Sequence, residues 1–310
     1  MSTRASIDGR PVGAVVVTFF PDDQLDSRFA AIGREFAPVI VVDNSTDPVV
    51  QARVRAAGST HGFEYIGNAA NLGLAAALNR GFARHASRAV QWAVAFDQDS
   101  TPEPGFADAL IAGAQRPPRP AVIGANWTDE AHADRPSRHL CRHPHLPLCF
   151  QRPAAERDLE DVTCVIASGS LFDLSTWTEL AGFDEGLFLD LVDTDYCLRA
   201  ARRGRTTRVA AAARLRHRRG SKQPVRFAGR TFFPAFMPPL RLRYLFRNRI
   251  ALCARHARST PHVLSFELVY AAKILTEIVL FEDRKLRKLA ACARGVWDGL
   301  TGRKGPIASA

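Results

Sequence analysis

Residues 92–100 read Trp92-Ala93-Val94-Ala95-Phe96-Asp97-Gln98-Asp99-Ser100: an apolar run that breaks into two carboxylates one residue apart. Its length and lack of a polar face suit a strand buried on both sides, as in a parallel sheet. Two other runs end the same way. Val15-Val16-Val17 gives way to Thr18, and Val39-Ile40-Val41-Val42 gives way to Asp43-Asn44-Ser45. In open α/β sheets ligands sit beyond the carboxyl ends of the strands, so three polar strand ends mark one candidate site.

Working outward, short β-branched runs alternate with stretches of helical period, which predicts βαβ units and a mostly parallel sheet. The expected strands are 14–19, 39–42, 63–66, 89–96 and 121–124, with helices over 47–57 and 72–85. Asp47-Pro48 offers an N-cap followed by proline in the first turn. Residues 117–153, rich in Pro, His and Arg, are expected to form a loop-rich insertion over the site, with their His and Cys incidental. Further strands are expected at 162–167 and 207–210, and helices at 175–180 and 192–203, the latter ending at Gly204. Two long helices, 240–258 and 262–293, close the chain. The second is expected to bury one face through Leu264, Leu268, Ala271, Leu275 and Val279, or else to lay that face on an anionic membrane, with Arg284, Lys285, Arg287 and Lys288 at its basic end.

The 310 residues carry 42 Lys and Arg against 31 Asp and Glu, a net charge of +11. The excess is local: no Asp or Glu lies between Asp195 and Glu267, whereas eighteen Arg and Lys lie from Arg199 to Arg258. Such a field suits nucleic acid, an anionic membrane surface or a polyanionic substrate. The six cysteines show neither CxxC pairs nor zinc-ligand spacing, so free thiols in a reducing compartment are expected. The apolar run after Pro11 is too short for a signal sequence or a membrane span. Together these predict a cytoplasmic protein.

Paired carboxylates at a strand end can hold a hard divalent cation and leave positions open for diphosphate oxygens. Asp97 and Asp99 meet that need, although the same residues also suit a plain turn. Asp43 can accept hydrogen bonds from a base or ribose. Asn71 either caps the following helix or turns its amide toward a ligand. Asp193 and Asp195 stand in the first turn of a helix, where the backbone dipole favours carboxylates. His217, set among Arg214, Arg216, Arg218 and Arg219, can supply an imidazole ligand while the arginines neutralise a leaving group.

Taken in order, Val41-Val42-Asp43-Asn44, Asn71 to Asn79, Asp97-Gln98-Asp99-Ser100, Ala167-Ser168-Gly169-Ser170, Gly182-Phe183-Asp184-Glu185 and Val192-Asp193-Thr194-Asp195-Tyr196-Cys197-Leu198-Arg199 resemble family 2 glycosyltransferases of the GT-A fold, most nearly the bacterial rhamnosyltransferases. The resemblance covers residues 12–255. It implies a Rossmann-like GT-A catalytic domain over 1–238, with a nucleotide-sugar half at 12–125 and an acceptor half at 158–238, and a basic helical extension over 239–310. By the same resemblance Thr18, Asp43 and Asn71 contact the donor, Asp97 and Asp99 the donor and Mg2+ or Mn2+, and His217 the metal. Asp193 becomes the general base, and Ser168, Gly169, Asp195 and Arg199 contact the acceptor or the diphosphate. Arg243 to Arg249 looks like the Tyr/Phe-Arg-Asn segment of the rhamnosyl branch. Val192 replaces the glutamate common before the base, and Tyr196 stands at a variable position.

The implied activity is inverting transfer of L-rhamnose from dTDP-L-rhamnose to a lipid-linked or polysaccharide acceptor, with a UDP-hexose as the alternative donor and the inner leaflet as an alternative surface. A nucleic-acid-binding protein would explain the basic C-terminal third but not the strand-end carboxylates, so no nucleic-acid partner is expected. A dinucleotide oxidoreductase is disfavoured because Thr18-Phe19-Phe20-Pro21 follows the first strand where a glycine-rich turn is needed. The first lysine is Lys222, too late for a P-loop.

Overall fold

The computed structural model describes residues 5–129, 137–142, 148–154, 157–218 and 224–307. The chain divides into two compact units: Met1–Arg142, Phe150–Glu185 and Val192–Arg218 form the first, and His143–Cys149, Gly186–Leu191 and Arg219–Ala310 the second.

In the first unit the order is β1 (Ser6–Ile7), β2 (Arg10–Thr18), α1 (Leu25–Glu35), β3 (Val39–Asp43), α2 (Pro48–Thr60), β4 (Glu64–Gly67), α3 (Gly73–Ala86), β5 (Trp92–Asp97), β6 (Ser100–Pro102), α4 (Phe106–Gln115) and β7 (Val122–Asp129). Two short strands, β8 (His139–Cys141) and β9 (Cys149–Gln151), precede β10 (Ser170–Asp173), α5 (Leu174–Glu179), α6 (Val192–Arg202) and β11 (Thr207–His217). The main sheet runs β4-β3-β2-β5-β10-β7-β11-β6, with β1 beside β2. Neighbours β4, β3, β2 and β5 are parallel, as are β7 and β11, while β10 runs antiparallel between β5 and β7. The α/β class and the mostly parallel sheet are therefore as the sequence predicts.

One face of the sheet buries Phe29, Phe36, Phe96 and Phe106 in a single apolar cluster. Phe82, Phe172, Phe183 and Tyr196 form a second aromatic contact group, with ring centroids 4.8–5.6 Å apart along its contacts. The Asp47 side chain accepts hydrogen bonds from the amides of Val49 and Val50, with Pro48 in the first turn, so the expected cap of α2 is present.

Several expectations need correction. Residues 162–167 form no strand, because the slot between β5 and β7 is filled by Ser170–Asp173; the earlier segment makes isolated contacts, its Val162 amide donating to Thr207. Helices α1 and α4 are additions. The segment 117–153 opens with regular structure, since β7 runs on to Asp129 in register with His217. Strand β11 extends seven residues past the expected end at 210, with a register shift between Ala210 and Arg214. No disulfide joins the six cysteines among the described residues.

The second unit holds a hairpin, β12 (Val225–Phe227) and β13 (Arg230–Phe232), then α7 (Pro239–His256), α8 (Pro261–Phe281) and α9 (Lys285–Leu300). The expected helix over 262–293 is thus two helices, broken at Arg284, whose φ of 48° lies in the left-handed region. The expected buried stripe is displaced as well. Leu268 and Val279 are exposed, and α8 instead buries Val263, Glu267, Ile274 and Ile278. Helices α7 and α9 approach closely because Gly295 lets the Arg243 carbonyl and Phe246 come where a Cβ would stand. Leu242, Leu245, Phe246, Ile274, Ile278 and Cys292 form this unit's own core.

Candidate functional site

Strand β5, in the middle of the sheet, carries Asp97 at its carboxyl end, the chain turns through Gln98 and Asp99, and β6 then pairs with the end of β11 so that Ser100 stands opposite His217. Ligand atoms of Asp97, Asp99 and His217 consequently all lie within 4.8 Å of one another. Sequence separates Asp99 from His217 by more than a hundred residues; antiparallel register joins them.

A relay of hydroxyls fixes this group. The Asp97 amide donates to Ser168 Oγ at 2.9 Å, the Ser168 and Ser100 hydroxyls are 2.7 Å apart, and Ser100 Oγ lies 2.8 Å from His217 Nδ1. The imidazole is buried and meets the Trp127 ring edge-on at 6.3 Å. Asp99 Oδ1 lies 3.3 Å from His217 Nδ1, yet it is buried and accepts no hydrogen bond, since that nitrogen is engaged by Ser100. A buried carboxylate oxygen without a donor is a costly arrangement on its own and a fitting one for a cation. The two carboxylates match the ligand preferences of Mg2+ or Mn2+, and the imidazole adds a nitrogen donor that a transition ion such as Mn2+ accepts more readily than Mg2+.

Gln98, between the two acids, has a part that sequence reading did not assign. Its Oε1 accepts from the Phe19 amide at 2.6 Å and its Nε2 donates to the Phe19 carbonyl at 3.1 Å, stapling the turn to the end of β2. Gly169 has a similar unassigned importance: its φ is +75°, and a Cβ there would meet Leu215 at 2.5 Å, so only glycine permits the turn that carries Ser168.

Thr18 and Asp43 are adjacent in parallel register and fully buried. Asp43 Oδ1 accepts from the Thr18 hydroxyl at 2.9 Å and from the Ser45 amide at 3.0 Å, and Oδ2 accepts from the Tyr65 hydroxyl at 3.2 Å. Burial, and then the Asp43 anion, push the Tyr65 hydroxyl above its ordinary pKa. Asn71 Oδ1 accepts from the Gly73 amide at 2.9 Å, a turn just before the α3 N-cap Leu72 rather than a side-chain cap, and Asn44 ties the same loop down through the Gly73 carbonyl and the Leu72 amide.

Asp193 opens α6. Its Oδ2 accepts from the Ala167 amide at 3.0 Å and its Oδ1 from the Thr194 amide at 2.7 Å, so its carboxylate is oriented from the same turn that presents Ser168. Asp195 and Arg199 are committed elsewhere than expected. Asp195 is buried against Arg199 Nε at 2.7 Å, and the Arg199 terminal nitrogens donate to the Leu180 and Gly182 carbonyls at 2.8 and 2.7 Å. They brace the 180–182 turn.

The arginines flanking His217 also need correction. Side chains alternate across a strand, so Arg214 and Arg216 project from the exposed face of β11 while His217 faces inward. Arg218, at the strand end, lies 3.8 Å from Asp22, and its amide donates to the Asp99 carbonyl at 3.3 Å. Arg219 lies outside the described residues.

Residues 25–176 match the sequence profile of the family described as glycosyl transferase family 2, a span that stops before Asp193 and His217. The chain is similar, at 24% identity over 94% of its length and 96% of the relative's, to the dTDP-rhamnosyl transferase RfbF of Shigella flexneri. Its fold is similar to that of a mannosyltransferase from Pyrobaculum calidifontis solved with GDP-Man and Mn2+, with a TM-score of 0.52 at 15% identity, covering 95% of this chain and 76% of that one. With the sheet order and the strand-end acids already in place, these likenesses support a family 2 glycosyltransferase of the GT-A fold, rhamnosyltransferase-like.

Proposed function

We propose that the chain transfers L-rhamnose from dTDP-L-rhamnose, with inversion, to a hydroxyl of a lipid-linked or polysaccharide acceptor used in cell-surface polysaccharide synthesis on the cytoplasmic side. The observation that carries the reading is the Asp97, Asp99 and His217 group with its unsatisfied Asp99 oxygen. These three residues would hold Mg2+ or Mn2+, which when bound offsets the charge of the donor diphosphate. Asp43 would receive the thymine ring edge at Oδ2, the oxygen to which Tyr65 now donates, while Thr18 and Ser45 keep the carboxylate in place. The Asn71 side-chain NH2 would turn toward the donor while its oxygen is held by the Gly73 amide.

Asp193 is the general base in this reading. An inverting displacement needs one carboxylate to take the proton of the attacking hydroxyl, and the Ala167 and Thr194 amides hold Asp193 in one orientation for that transfer. Ser168 and Gly169 shape the turn between base and metal ligands. The sequence similarity to the dTDP-rhamnosyl transferase of Shigella flexneri supports the choice of sugar.

The test is binding of a panel of nucleotide sugars with and without Mn2+. Metal-dependent preference for dTDP-L-rhamnose, lost in Asp99→Ala, is the expected result. Preference for a UDP-hexose would replace the donor, and unchanged affinity in Asp99→Ala would remove that residue from the site.

A further inference from the structure

The helical unit distributes its charges in an unusual way. Between residues 224 and 307 there are sixteen Arg and Lys and five Asp and Glu. Four of those acids are buried: Glu267 against Arg249, Glu277 against Lys273, Glu282 against Lys288, and Asp298 against Arg243 and Arg303. Asp283 is the one exposed acid among these residues, and it too contacts Lys288. The charge that this unit shows to water is therefore almost wholly cationic.

Apolar side chains are exposed on the same unit. On α8 they are Leu268, Val269, Val279 and Leu280, all on the face opposite its buried residues. On α9, Leu286, Trp297 and Leu300 follow a heptad-like spacing opposite the face that packs on α7, and Leu286 is 85% exposed. The hairpin joins this surface. Its Phe227 and Phe232 are exposed and touch Phe281 at the end of α8, with centroids 5.6 and 5.1 Å apart. Exposed Arg226 and Arg230 on the hairpin, and Lys285 and Arg287 at the start of α9, border these apolar groups.

We propose that the corner formed by the β12–β13 hairpin and the α8–α9 turn docks on an anionic lipid bilayer, its apolar residues entering the interfacial layer and its basic residues meeting the headgroups. Charge complementarity selects this occupant. A second copy would set two cationic surfaces against each other, and a nucleic acid would leave Leu280 and Leu286 in water. No helix among the described residues is long and apolar enough to cross a membrane, so the contact is interfacial. Basic residues near an anionic surface and an apolar helix face act together in such binding.

The experiment is co-sedimentation of the full chain with phosphatidylcholine vesicles, with or without phosphatidylglycerol, in the absence of any nucleotide sugar. Binding is expected only with phosphatidylglycerol, weakening as salt rises. Lys285→Glu/Arg287→Glu and Leu280→Asp/Leu286→Asp are each expected to reduce it by at least about tenfold. Because a double variant can disturb folding, Leu286→Trp supplies an independent reading: its emission should shift to the blue on phosphatidylglycerol vesicles. No binding to those vesicles, no shift, or self-association or oligonucleotide binding in place of vesicle binding would overturn the proposal. Loss of vesicle binding would leave the nucleotide-sugar reading intact, and failure of donor binding would leave this one intact.

Discussion

The strand-end site and the helical unit bury charged and titratable groups in opposite ways. At the strand ends, Asp99 keeps a buried oxygen without a hydrogen bond beside an imidazole held by a neutral hydroxyl. In the helical unit nearly every acid is buried against a basic side chain, as Glu267 is against Arg249 at 2.6 Å. The difference teaches what each set of acids is for. An incompletely satisfied group can take up a ligand, whereas a paired acid fixes the fold and leaves the remaining basic residues to shape the surface.

The largest expected effect breaks the site without touching its binding half. Asp193→Asn should lower transfer by about a thousandfold or more, consistent with loss of a proton acceptor, while donor affinity measured by calorimetry stays within about twofold. A fall in donor affinity of the same size as the fall in rate would place Asp193 among the binding groups.

Next comes the helical unit. Glu267→Gln leaves the buried Arg249 guanidinium without its counter-charge, and removing one member of such a pair costs about 3–5 kcal/mol. Thermal or urea unfolding should show that loss in the helical unit, with metal-dependent donor binding retained under native conditions. An unchanged unfolding midpoint would mean the pair is not an internal brace.

The smallest effect sharpens the contrast through pH. His139 is buried beside the Ser137 hydroxyl, 2.6 Å away, and burial pushes its pKa down to about 4. The folded chain therefore keeps this imidazole neutral at pH values where the unfolded chain, titrating near 6.5, is protonated. Its contribution is fully present above pH 6.5 and is lost as the pH falls through about 4, by about 3 kcal/mol. Unfolding of His139→Gln should depend less steeply on pH across that window than unfolding of the wild type. Parallel slopes would show that His139 does not drive the acid sensitivity.

Much of the site was legible because it is built on strand ends. An apolar run of five or six residues fixes a strand, and the first polar residue after it must leave the sheet on the ligand side, which is how Thr18, Asp43, Asp97 and Asp99 could be named. His217 was legible as a candidate through its motif, but its neighbours were misjudged. The arginines beside it in sequence lie on the other face of β11, a consequence of strand alternation that becomes usable only once the strand is known to run to residue 217. Gln98 and Ser100 carried no signal, since a glutamine between two acids and a serine after them are ordinary turn residues.

The sequence by itself determined the α/β class, the strand ends that hold the acids, and the concentration of positive charge in the last third, because each depends on local periodicity or composition. The tertiary structure decided what no local pattern encodes. Antiparallel register between β6 and β11 brought His217 to Asp99. Competition for the slot between β5 and β7 moved the strand from 162–167 to Ser170–Asp173. A left-handed backbone at Arg284 breaks the last helical stretch in two, and Leu280 and Leu286 on either side of it are exposed. These outcomes depend on which distant segment arrives at a surface, and a periodicity read along the chain carries no such term.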